Sequence, residues 1–214
     1  MDVLEEAISK YGCPEIFNTD QVTGKMETLI EIAIGIGLSA ACGFRVFVPL
    51  LVMNLAAMTG HLHLSSEFSW LGSQSATVAF GTATLLEVLG YYIPWVDHLM
   101  DTITTPAAMI AGVVATASTV TDVPPFLKWT LALIAGGGIA GLVQGTTLAL
   151  RAKSSLATTG LGNPVIATME LIGAAATALL AVFVPVLALL LIALLLFFVL
   201  RKVGRFILGR KNPN

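Results

Sequence analysis

Five ionisable side chains occupy stretches of this sequence that are otherwise almost free of charge: Arg45, Glu87, Asp97, Asp101 and Glu170, with the amides of Asn54, Gln144 and Asn163 as lesser companions. A charge held at the centre of a bilayer costs at least ~2.5–3.5 kcal/mol on insertion scales, so each one must find company. Arg45 is the most demanding, because a guanidinium does not shed its proton in a protein and must meet a carboxylate, a backbone carbonyl or water. Glu87 and Glu170 are the candidate partners. Two arrangements fit these residues. One is a buried ion pair that fixes helix register. The other is a polar route for a small ion or solute, with Arg45, Glu87, Asp97, Asp101, Asn163 and Glu170 along it.

Asp97 and Asp101 add a second chemistry. If GYYIPWVDHLMD is helical after Pro94, their spacing of four puts both carboxylates on one face. Adjacent carboxylates repel, and a shared proton or a bound cation relieves them. Acid pairs of this kind hold magnesium in membrane enzymes that act on lipid or isoprenoid diphosphates, although no second pair accompanies this one. The plainer reading makes Asp101 the N-cap of the next helix, at the cytoplasmic surface behind an interfacial belt of Tyr91, Tyr92 and Trp95. His61 and His63 have two-ligand metal spacing only on a strand, and no third ligand lies close to them in the sequence. No Ser-His-Asp order, phosphate loop or nucleotide-binding glycine motif is present, so neither a catalytic residue nor a cofactor is assigned.

The elements that must position these groups follow from composition. The 214 residues are 56% hydrophobic and 11% charged, against roughly 25% charged for a soluble chain. Mean hydropathy is +0.89. Five of the 13 acids fall in the first 25 residues and five of the 11 bases in the last 14, which leaves the middle nearly bare. A soluble enzyme, a nucleic-acid binder and a disordered chain are thereby excluded, and the lipid bilayer is the expected partner. Cys13 and Cys42 make no disulfide framework.

Apolar stretches cover 28–58, 74–91, 102–120, 126–150 and 165–200, where about 20 residues cross a bilayer core. The last divides at Pro185. The first is too long for one straight span and contains Gly43, Arg45 and Pro49, so it is read as one broken element. The expected fold is all-α: a polytopic bundle of about six transmembrane spans, the first broken near Gly43–Pro49. Basic residues collect on cytoplasmic flanks. Arg201, Lys202, Arg205, Arg210 and Lys211 therefore place the C-terminus inside, with Arg151 and Lys153 in an inside loop over 151–164. Six spans return the N-terminus to the same side of an inner membrane. Gly35, Ser39 and Gly43, and Gly137, Gly141 and Gly145, form small-residue stripes, expected to pack helices within the chain or to serve as a homo-oligomer face. The stripes, together with ATLLEVLG and ATMELIG, suggest an inverted repeat, although Glu87 falls late in its span and Glu170 early.

Three segments carry a family resemblance: GFRVFVPLL, then LLEVLGYYIPWVDHLMDTI followed by PAAMIAG, and TGLGNPVIATME. In order and spacing the chain from about 26 to 200 resembles the bacterial integral membrane proteins grouped as domain of unknown function 4126. That resemblance implies a multi-span inner-membrane protein and no established activity. It also implies that Arg45, Pro94, Asp97, Asp101, Asn163, Pro164 and Glu170 belong to the family's pattern. Residues 1–25 are different, acidic and without periodicity. DVLEEAISKYGCPEIFNTDQ resembles the integrase-type core of insertion-sequence transposases, with Asp20 at the second acid of the metal triad. The other two acids are absent, so the segment is expected to be a junction left by insertion, with Met26 an older start. Nor does it read as a signal peptide. The organisation expected is a polar tail over 1–25, a transmembrane domain over 26–205 and a basic cytoplasmic tail over 206–214. The functions weighed are a small ion or solute transporter or channel, a magnesium-dependent diphosphate enzyme using Asp97 and Asp101, and a structural subunit of a membrane complex.

Overall fold

The computed structural model describes residues 19–93, 96–158 and 162–209. Most of the acidic tail, Cys13, the side chain of Asp20, Pro94 and the last basic residues lie outside them. The described residues form eight α-helices: α1 Thr19–Cys42, α2 Phe47–Met58, α3 Gln74–Gly90, α4 Val96–Thr119, α5 Pro125–Leu131, α6 Gly138–Thr158, α7 Asn163–Phe183 and α8 Pro185–Gly209. A 3₁₀ helix, Ser66–Gly72, precedes α3, and a π turn, Ala132–Gly137, joins α5 to α6. Leu99–Thr119, Pro125–Thr158 and Asn163–Phe183 are long and apolar enough to cross a membrane, and Phe47–Met58 and Pro185–Val199 are shorter apolar helices. The chain is a helical membrane protein.

The first apolar stretch does break where expected, but the break is a reversal rather than a kink. Helix α1 ends at Cys42, and the amide of Gly43 bonds back to Ser39 and Ala40. Gly43 is required there: a Cβ would sit 2.5 Å from Val143 Cβ and 2.6 Å from the Ala140 carbonyl on α6. Pro49 falls in the first turn of α2, where its missing N–H leaves no helix bond unmade. The chain then returns along α1. After α2, Gly60 turns in the left-handed region at φ 76°, and His61, Leu62 and His63 line a cavity together with Glu27 and Glu31 of α1.

Helix α8 runs parallel to α1: Ala188 lies against Gly37, and Ile192 and Leu196 pack with Ala40 and Phe44. The start of α1 and the end of α8 therefore lie at opposite ends of the bundle. Helix α1 also begins at Thr19, upstream of Met26.

Small residues close the interior. The Ser39 hydroxyl lies 2.7 Å from the Gly112 carbonyl and 2.8 Å from the Thr116 hydroxyl. Gly112 and Gly136 bring α4 within backbone contact of the π turn, since a Cβ on either would meet the other's carbonyl oxygen at 2.7 and 2.5 Å. The Gly35–Ser39–Gly43 stripe is thus spent inside the chain rather than offered to a second copy. Of the other stripe, Gly137 meets Val113 and Gly141 meets Met109, while Gly145 faces open space.

Candidate functional site

The ends of α1, α3 and α6 and the starts of α2, α4 and α7 lie at one end of the bundle, and there the sequence's buried charges meet. Tyr91 caps α3 at its C-terminal end, and the Cζ atoms of Arg45 and Arg151 each lie 3.9 Å from its ring centroid. The face of an aromatic ring attracts a cation, more strongly when both are out of water. The Tyr91 hydroxyl bonds to Thr104 at 2.9 Å, and Thr104 lies 3.4 Å from the Gln144 amide.

Each charge then has its own partner. The Arg151 Nε donates to Glu170 Oε1 at 3.0 Å and its Nη2 meets Oε2, the fork geometry that suits a guanidinium to a carboxylate. Its Nη1 lies 3.4 Å from Asp101 Oδ1. Arg45, with its side chain 0% exposed, donates from Nη2 to the Ala167 carbonyl at 2.9 Å and stands 3.8 Å from Glu170. Among the described residues no acceptor meets its Nε or Nη1. Glu87 takes neither arginine. Its two oxygens accept the Val46 and Phe47 amides at 2.8 and 3.0 Å, so a carboxylate from α3 satisfies the free N–H groups at the start of α2. Glu87 and Glu170 share this end because α3 runs toward it and α7 away from it, which an inverted repeat does not produce.

The acid pair is divided between neighbours. Asp97 Oδ2 accepts from Asn163 at 2.9 Å, and Asn163 also bonds to Ser155. Asp101 faces Arg151. Asp101 is not an N-cap, because α4 begins at Val96 and carries Asp97 in its first turn. Residues 151–158 are likewise not loop: α6 continues through them to Thr158, and Arg151 is buried. All six proposed route residues, Arg45, Glu87, Asp97, Asp101, Asn163 and Glu170, thus come together. Sequence reasoning missed Arg151 and Tyr91, which it treated as topology markers. Of the four carboxylates gathered here, Asp101 and Glu170 face the guanidinium groups, while Glu87 and Asp97 are held by backbone amides and by Asn163.

The other polar residues lie elsewhere. Asn54 ties α2 to the start of α3 through the Leu71 and Ser73 carbonyls and the Thr77 hydroxyl. Lys128 is buried at the opposite end, 2.9 Å from Glu67 and 3.2 Å from Ser65. His61 and His63 are at that end too, on the rim of a cavity of about 560 Å³ that Thr119 also lines. Among the described residues no three His, Cys, Asp or Glu side chains are grouped to hold a metal ion.

One face of α4 joins the two ends. Asp97, Asp101, Thr104, Ala108, Gly112, Thr116 and Thr119 recur at steps of three and four, the helical repeat. From the cavity at Thr119 a line of buried hydroxyls runs through Thr116 and Ser39 to the Gly112 carbonyl. It stops for one turn at Ala108 and Ala140, both fully buried, and resumes at Thr104, Gln144 and Tyr91.

A family model described as a domain of unknown function (DUF4126) matches residues 32–205. No curated protein and no solved structure matches the chain.

Proposed function

The chain belongs to this family of unknown function, and from that premise we propose that it passes a small ion or small solute across the membrane. The observation that carries the reading is the polar face of α4. It leads from an open cavity to a sealed cluster of charges, with a single apolar turn between them. Hydroxyls and amides have little use inside lipid except to bond to each other or to something that passes. In this reading Ala108 and Ala140 form the closed point, and Arg45, Asp101, Arg151 and Glu170 hold the far mouth.

The orientation follows the same reading. The charged end also bears Lys153 and the basic end of α8 with Arg201, so it faces the cytoplasm of an inner membrane. The cavity, with Glu27 and Glu31 in its lining, faces outward, and the start of α1 with it. Every inter-helix loop keeps the side that its charges suggest, and only the start of α1 changes side, because α2 is a pass of its own. The diphosphate-enzyme reading is less favoured, since Asp97 and Asp101 are engaged by Asn163 and Arg151. The complex-subunit reading retains only the open flank at Gly145.

The test is flux. Purified protein in proteoliposomes should collapse an imposed gradient of at least one of H⁺, Na⁺, K⁺ or Cl⁻. Thr116→Val should slow this and Ala108→Ser should speed it. Vesicles as tight as empty ones across that panel and to small solutes such as glycerol, urea and choline, from protein shown to be folded and inserted, would refute the reading.

A further inference from the structure

The cavity at the outward end has a chemistry of its own. Four elements frame it: the first half of α1, the turn after α2, the end of α4 and the α7–α8 junction at Pro185. The frame is fixed. Glu31 accepts the Thr121 amide at 3.0 Å and its hydroxyl at 2.6 Å, and the amides of His61 and Leu62 both bond to the Ala56 carbonyl. The His61 ring meets Phe183 edge to face at 5.5 Å and bonds to the Thr59 hydroxyl at 3.0 Å. A volume of about 560 Å³ lies within the range of roughly 300–1,000 Å³ usual for organic ligands, and it is more than a bare ion needs.

Its lining sets the sign of the occupant. Glu27 and Glu31 contribute carboxylates beside the rings of His61 and His63, and among the described residues no lysine or arginine lines it. Glu31 is committed to Thr121, whereas Glu27 is exposed on the wall. Ile30 and Ile34 share their face of α1, and Val182 and Pro185 from the α7–α8 junction add further apolar surface. Carboxylates set among hydrocarbon suit a cation that carries its own alkyl groups. We propose that this cavity binds a small organic ammonium ion, with Glu27 as its charge partner. The site stands apart from the flux reading, because binding requires no passage.

The same chemistry exists in free amines and in choline or ethanolamine lipid headgroups, and one experiment separates them. Radiolabelled choline is titrated onto the full-length protein in nanodiscs of phosphatidylglycerol and, separately, of phosphatidylcholine, with the neutral isostere 3,3-dimethylbutanol as competitor. Saturable binding is expected in phosphatidylglycerol. It should weaken by roughly tenfold in Glu27→Gln, the loss of one charge-assisted contact, and resist the isostere. Equal binding in both lipids assigns the site to a free solute, and binding suppressed by phosphatidylcholine assigns it to a headgroup. Either result upholds the site. No saturable binding, binding unchanged in Glu27→Gln, or full competition by the isostere overturns it. Glu27 is exposed, so its substitution leaves the fold in place, which the elution profile and melting curve verify. Binding without flux in proteoliposomes would sink the transport reading and leave this site standing.

Discussion

The two ends of the bundle hold similar numbers of charged groups and use them in opposite ways. At the arginine end Arg45, Arg151, Glu87 and Glu170 are buried, and their partners are side chains and backbone groups. At the cavity end Glu67 is 61% exposed although it pairs with a buried Lys128, and Glu27 and His63 stand open to the cavity. A charge that keeps its water interacts weakly with its neighbour, whereas one stripped of water depends on that neighbour. The arginine cluster therefore holds the fold, and the rim at the cavity end is free to meet a ligand.

The sharpest way to break this contrast is Arg151→Met, which leaves Asp101 without its counter-charge and Glu170 with only the more distant Arg45. Breaking a buried pair from one side costs about 3–5 kcal/mol, and equilibrium unfolding in mixed detergent micelles should show a loss of that order. A loss no greater than that of a rim substitution would mean the cluster is not a structural keystone. Next comes Glu87→Gln. The amide keeps one oxygen for Val46 or Phe47 and turns an NH₂ toward the other, so one buried N–H goes unmet. The expected cost is about 1–3 kcal/mol, accompanied by faster hydrogen exchange confined to the first turn of α2.

How much of this was legible follows the same division. Composition alone gave the membrane setting, and the apolar runs marked α3 and α7 to within about two residues, while α1, α4, α6 and α8 extend six to nine residues beyond theirs. Arg45, Glu87, Asp97, Asp101, Asn163 and Glu170 stood out because charge in an apolar stretch is expensive, and that cost is what gathers them. Arg151 was hidden by its place at the end of a span, where a basic residue ordinarily marks only the side of the membrane. The reversal at Gly43 was hidden because a helix of 12 residues, about 18 Å long, is shorter than a conventional span. Only contacts across the bundle, Gly43 with Val143 and Glu87 with Val46, show the turn. The hydroxyl face of α4 was readable in principle, as Thr104, Thr116 and Thr119 continue the spacing of Asp97 and Asp101. It went unseen because threonine carries no charge to draw notice.

A milder probe sits between the two ends. Thr116→Val removes one hydroxyl from the pair with Ser39, and such bonds between membrane helices are worth about 0.6 kcal/mol on average. Folding should barely change while any measured flux drops, which separates a polar path from simple helix glue. An equal drop in stability and flux would favour glue.

The smallest effect belongs to the rim at the cavity end. Glu67→Gln removes the carboxylate 2.9 Å from Lys128, yet the ammonium keeps the Ser65 hydroxyl at 3.2 Å and lies 5.5 Å from the centre of the Phe68 ring. Because Glu67 is largely in water, its pair is worth about 0–1 kcal/mol, and salt screens part of that. Unfolding curves of Glu67→Gln and the parent should nearly coincide and draw closer as salt is raised, whereas those of Arg151→Met stay apart at every ionic strength. A Glu67→Gln loss approaching that of Arg151→Met would place Lys128 in surroundings as dry as the arginine cluster. The cavity end would then be a second structural lock.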